Sequence, residues 1–169
     1  YFGKPPTRNN ATTYKPVIFL FVVAALMASV ISWILLGTMF AGRTVEWFIS
    51  ISMVLLGLQK LQDVERFATM FLNYDLLAQR WISYGYVYPF VETGAGLLMM
   101  AGVLTWLSAP AALLVASIGA VSVFKAVYVD KRELKCACVG GDSKVPLGFV
   151  SLTENLMMIG MAVWMLSKL

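Results

Sequence analysis

Long uncharged apolar runs alternate with short polar stretches along this chain. Val17 to Phe40 carries no charged residue. A run of about 20 apolar residues crosses the hydrocarbon core of a bilayer, so this stretch predicts a first spanning helix. Lys15-Pro16 marks its start and Gly42-Arg43 its end, with Thr44 as the N-cap of the next helix. Apolar positions then continue from Val45 to Leu58, after which charge enters at Lys60, Asp63, Glu65 and Arg66. Leu61, Val64 and Phe67 keep helical spacing through that change. The pattern predicts one long helix, whose first half crosses the bilayer and whose second half emerges amphipathic into the interface. Asn73 to Tyr84 reads as an aromatic connection at headgroup level.

Tyr86 to Leu107 predicts a third span, with Pro89 in its first turn and Glu92 inside it. Gly94, Gly96 and Gly102 permit close helix approach there. Ser108-Ala109-Pro110 predicts a tight turn, and Ala111 to Val129 a fourth span with Lys125 near its end. A polar loop, Asp130 to Val145, holds the two cysteines, Cys136 and Cys138. Pro146 opens a fifth span that carries Glu154 and Asn155 and runs to Leu166.

Composition turns this pattern into a fold class. The chain has 169 residues, 60% hydrophobic and 13% charged, whereas a soluble domain has about a quarter of its residues charged. So small a globule cannot bury that apolar excess, so its solvent is lipid. The expected fold is all-α, a polytopic membrane helical bundle. The net charge of +4 is scattered between apolar runs and does not indicate nucleic acid. Its use is orientation. With five spans, Lys4, Arg8, Lys15, Lys60, Arg66, Arg80, Lys131, Arg132, Lys135 and Lys144 share one side, against Arg43 and Lys168 on the other. That bias places the tail and the cysteine loop in the cytoplasm of a multi-pass bacterial inner-membrane protein. The polar start, Tyr1 to Pro16, reads as a tail or an inter-domain linker.

Four ionisable residues fall within or at the ends of the spans: Lys60, Glu92, Lys125 and Glu154. Counted at about 1.5 Å per residue, each lies within two turns of the cysteine side. Two acids, two bases and the CxC loop can converge there on one shallow pocket. Two readings are open, namely ion pairs that lock the bundle and a relay or field that serves the cysteines. No His is present, which removes the commonest general base and metal ligand.

The Cys136-Ala137-Cys138 motif admits three chemistries. Lys135 and Lys144 favour the thiolate, and a tight CxC disulfide is a fairly oxidising couple. The dithiolate also suits a soft metal such as Cu(I) or Hg(II). The third reading is two small apolar loop residues. Met157, Met158 and Met161 fit either a copper path or ordinary packing.

Three motifs in order carry a family resemblance. Gly57-Leu58-Gln59-Lys60-Leu61-Gln62-Asp63 resembles the G-x-x-K-L-x-D signature of DoxX-like membrane proteins. Glu92-Thr93-Gly94-Ala95-Gly96-Leu97-Leu98 resembles their E-x-G-x-G-L-L helix. Cys136-Ala137-Cys138-Val139-Gly140, Lys144-Val145-Pro146-Leu147 and Ser151-Leu152-Thr153-Glu154-Asn155 resemble the MauE branch, the methylamine-utilisation membrane proteins. The resemblance covers roughly Val45 to Leu166, in order.

The resemblance implies a four-helix core with one added N-terminal transmembrane helix. The divisions expected are a polar tail or linker at 1–16, that helix at 17–41, and the core at 44–169 with its cysteine loop at 130–145. It implies thiol–disulfide handling linked to maturation of a disulfide-rich periplasmic dehydrogenase, as a component of a thiol–disulfide oxidoreductase. Lys60, Asp63, Glu92, Cys136, Cys138 and Glu154 inherit the functional assignment. The partner implied, besides the bilayer, is a soluble thioredoxin-like or heavy-metal-binding domain. The latter keeps a MerT-like soft-metal transfer role open beside the redox one, and a non-catalytic scaffold is the third reading.

Overall fold

The structure, a computed structural model, describes residues 14–134 and 147–169. Every regular element among them is helical: α1 (Lys15–Leu36), α2 (Gly42–Leu61), α3 (Val64–Phe71), α4 (Leu76–Arg80), α5 (Ile82–Ala101), α6 (Thr105–Phe124), a π-helical turn (Lys125–Val129) and α7 (Phe149–Leu166). Four of the described helices, α1, α2, α6 with its π turn, and α7, are long and apolar enough to cross a membrane. α5 has the length, at 20 residues, but tyrosines, glycines and Glu92 make it less apolar. It lies packed against α2 and α6, and Tyr88, Glu92 and Thr93 are buried there. The all-helical membrane bundle expected from composition is what the chain forms.

α1 shows how lipid selects the pattern. Val17, Leu20, Ala24, Ala28 and Ser32 form its buried stripe, at the three- and four-residue spacing of one helix face. Phe19, Leu26, Ile34 and Leu35 point away, each more than half exposed, and in a bilayer that surface meets acyl chains. Pro16 sits in the first turn, and the helix ends on Gly37 at φ 68°, a left-handed cap that suits glycine. Ser32 and Thr44 hydroxyls bond each other at 2.7 Å, and Ala41 N–H donates to Thr44 Oγ1. Thr44 therefore caps α2 from inside its first turn, and Ala41 holds the N-cap position.

Three boundaries differ from the sequence pattern. The predicted long second helix breaks at Gln62-Asp63, because the Asp63 carboxylate accepts Arg66 N–H at 3.0 Å and starts α3. Periodicity continued through that point, but a side-chain cap outweighed it. α5 begins at Ile82, so Pro89 lies within the helix and Glu92 stands ten residues from its start, about 15 Å at helical rise. The tight turn falls at Gly102 to Leu104, both at positive φ, while Ser108 to Pro110 belong to α6. Pro110 lies early in α6, close to the end where backbone N–H groups lack helical partners.

Small residues set the helix spacing. A Cβ on Gly57 would stand 2.1 Å from Thr93 Oγ1, and one on Gly96 would stand 3.1 Å from Ser50 O. These contacts draw α2 and α5 together. On α6, Ala112, Ala116 and Gly119 are buried along its seam with α7. Of the three glycines singled out in α5, Gly96 makes a close approach, Gly94 faces open space, and Gly102 caps the helix.

Candidate functional site

Close packing of α2, α5 and α7 brings three charged side chains to one point. Lys60 Nζ donates to Glu92 Oε1 at 2.8 Å and Oε2 at 2.6 Å, and to Glu154 Oε1 at 2.6 Å. Lys60 is 2%, Glu92 0% and Glu154 3% exposed. Both carboxyl groups thus converge on one ammonium. Lys60 comes from the last turn of α2, Glu92 from the middle of α5 and Glu154 from the second turn of α7. Gly57, one turn before Lys60, has no side chain to hold α5 away.

An aromatic layer covers the trio. The ammonium of Lys60 lies 5.3 Å from the ring centre of Tyr88 and 6.0 Å from that of Phe67. Phe71 stacks between them, 5.0 Å from Phe67 and 4.8 Å from Tyr88, and meets Tyr74 edge-on. Ring faces carry negative potential, so they supplement the carboxylates around the cation. α3 and α4 thus form a lid over the cysteine-loop end of the bundle. Asp75 pins that lid: fully buried, it accepts Leu77 N–H at 3.0 Å and Ala78 N–H at 2.9 Å. Ser122 Oγ on α6 accepts Leu76 N–H at 3.0 Å. Burial pushes the Asp75 carboxyl above its ordinary range, and the hydrogen bonds from Ala78, Ser122 and Leu77 partly offset this.

A second charged cluster marks the opposite end. Glu46, 5% exposed, accepts from Trp164 Nε1 at 2.8 Å and from the Lys168 ammonium, with Arg43 at 3.5 Å. The two clusters fix α2 and α7 antiparallel, Glu46 with Lys168 at one end and Lys60 with Glu154 at the other. The separation is fourteen residues on each chain segment, about 21 Å at helical rise. Arg43 and Lys168 side chains are half exposed, as headgroup-level charges are.

The residues expected to act together are placed unequally. Lys60, Glu92 and Glu154 meet. Lys125 begins the π turn and is exposed on the bundle surface. The cation that pairs with both acids is Lys60. Asp63 is an exposed helix cap. Cys136 and Cys138 lie outside the described residues. The chain segments that flank them are described: Leu147 N–H donates to Leu134 O at 2.8 Å, and Leu147 is buried in the core. The loop therefore leaves and rejoins the bundle at one place. Met158 and Met161 are core residues, 0% and 2% exposed, and Met157 is half-buried. Among the described residues no group of three or more His, Cys, Asp or Glu is arranged to hold a metal.

Sequence reasoning missed Glu46, Asp75, Gly119 and the aromatic lid. Glu46 was readable as a charge in an apolar run, and Asp75 as a cap before Leu76-Leu77. The lid required knowledge that α3 folds back.

No curated protein and no solved structure matches the chain. A family match extends further than the motifs, from residue 17 and so through α1. The family model described as methylamine utilisation protein MauE covers residues 17–168, and the chain belongs to that family of membrane proteins linked to methylamine utilisation.

Proposed function

We propose that this protein is a membrane-embedded thiol–disulfide exchange component. Cys136 and Cys138 form its reversible couple, and the Lys60–Glu92–Glu154 trio holds a proton below their membrane face. The observation that carries this reading is the stoichiometry of the trio, two carboxyls to one ammonium, all buried. With every group ionised the trio bears a net negative charge, which is expensive below the membrane surface. One proton held between the two carboxyls cancels it. The trio is then a site that stores or releases one proton without moving a helix.

In exchange, the Cys136–Cys138 dithiol becomes a disulfide while a partner disulfide becomes a dithiol. Two electrons and two protons pass to the partner, and no other oxidant is consumed. The attacking thiol must lose its proton first, and the leaving thiolate must gain one. A carboxylate with capacity for one proton serves both moments. Lys135 and Lys144 add positive charge beside the cysteines, which favours the thiolate. The excess of Lys and Arg on the same side supports a cytoplasmic placement of this loop.

The test is acid-quenched thiol trapping in cells with a mass-shifting alkylator. A mixed disulfide and dithiol population that follows added reductant is the expected result, absent from Cys136→Ser and Cys138→Ser chains that still express. A pair that is fully reduced under all conditions overturns the proposal. A reduced pair that resists alkylation until a soft-metal chelator is added overturns it in favour of Cu(I) or Hg(II) capture.

A further inference from the structure

A small cavity of about 10 Å³ adjoins the trio, with Lys60, Glu154, Gly119, Asn155 and Tyr74 in its wall. That is about the room one water requires. Asn155, 4% exposed, donates through Nδ2 to Ser151 O at 2.8 Å. Its Oδ1 is buried and meets no donor among the described residues. A buried carbonyl oxygen left unbonded is costly, and native interiors satisfy such groups with protein or ordered water. Gly119 makes the space: a Cβ there would stand 2.6 Å from Asn155 Oδ1. The missing side chain, the orphaned acceptor and the one-water volume are separate observations at one point.

We propose that this cavity binds a single water, which donates to Asn155 Oδ1 and reaches the Lys60–Glu154 pair, and that this water is the port through which the trio exchanges its proton. A water needs two to four polar partners to be held, and this one has two acceptors to donate to, the Asn155 carbonyl and the Glu154 carboxylate, since the three Lys60 N–H groups already bond carboxylate oxygens. Asn155 is a positioning residue, since it acts on the trio through the water. The water site stands without any thiol chemistry. Its role as a port rests on the proton-holding reading of the trio.

The test is infrared difference spectroscopy of the whole chain in lipid, exchanged between ordinary and ¹⁸O-labelled water. Wild type is expected to show an isotope-shifted O–H band from one tightly bound water. Gly119→Ala removes the space and Asn155→Leu removes the acceptor, so both variants lose that band. Absence of the band in wild type, or its survival in both variants, overturns the site. The second readout is hydrogen–deuterium exchange at the protonated carboxyl C=O stretch. Exchange is expected to slow at least about tenfold in each variant, equivalent to one decade of barrier, while the carboxyl band itself persists. An unchanged exchange rate overturns the port. Repeating both measurements in the Cys136→Ser, Cys138→Ser chain separates this proposal from the redox one, because neither readout uses the thiols.

Discussion

Replacing Lys60 with Met tests whether the trio is a charged assembly. Lys60 is 2% exposed and is shared by Glu92 and Glu154. Methionine keeps most of the stem volume, so the packing against Phe67 and Tyr88 survives while the charge goes. The two carboxyls then lose the cation that they share. Removal of one partner from a buried pair costs about 3–5 kcal/mol. For a chain of this size each kcal/mol corresponds to about 2–4 °C, which places the drop in Tm at about 6–20 °C. Glu92→Gln or Glu154→Gln behaves differently. Either leaves one carboxylate for one ammonium, a neutral pair, so the loss is that of a single charged hydrogen bond, about 1.5–3 kcal/mol at most. The triple replacement Lys60→Met, Glu92→Gln, Glu154→Gln should recover much of the single Lys60→Met loss, since it removes the uncompensated charge. The assay is thermal unfolding in detergent followed by tryptophan fluorescence. A Lys60→Met chain that melts within about 2 °C of wild type, a difference below about 1 kcal/mol, would refute the reasoning. So would a Glu154→Gln chain less stable than Lys60→Met.

Two further outcomes follow from the lid and the seam. Gly57→Ala places a methyl 2.1 Å from Thr93 Oγ1 and should destabilise by about 1–3 kcal/mol, with Thr93→Ala recovering part of the loss in the double variant; a Tm at or above wild type for Gly57→Ala alone would contradict the seam geometry. Asp75 has its carboxyl raised by burial, so the folded state holds its proton more tightly than the unfolded chain. Its contribution is fully present below the unfolded value and declines as pH rises through the folded one. Asp75→Asn retains the cap without the ionisation, so its Tm should fall less than wild type across that rise. Identical pH profiles would remove Asp75 as the source.

The sequence made the membrane bundle legible because lipid imposes a simple rule, an uncharged run about 20 residues long. α1 and α6 follow it, and α2 and α7 were legible despite Glu46, Lys60 and Glu154 because the rest of each is apolar. Boundaries set by single side chains were not. Asp63 and Thr44 act through one hydrogen bond each, a signal too short for periodicity to report. The trio was half legible. Lys60, Glu92 and Glu154 stood out because ionised groups in apolar runs are rare, but hydropathy gives no azimuth around a helix. Lys125 and Lys60 therefore looked equivalent, and packing at Gly57 decided between them. Gly119 could not be recognised at all, since a glycine in an apolar helix reads the same whether it faces a lipid, a neighbour or a cavity.

The trio has one acid more than a lock requires. Glu92 alone would neutralise Lys60, and the pair would join α2 to α5. Glu154 adds a second burial cost on the same cation, Lys60, and the segment after α7 already has an ion-paired anchor to α2 at Lys168 and Glu46. The antiparallel register of α2 and α7 is fixed at that end, fourteen residues away on each segment. On the proposed reading, the extra carboxyl adds a place for one proton at almost no geometric change, since Lys60 Nζ already bonds three of the four carboxyl oxygens. Stability and proton capacity therefore separate in the variants. Glu154→Gln leaves a folded, neutral, locked bundle that has lost its exchangeable proton, and Lys60→Met leaves the protons but strips the lock.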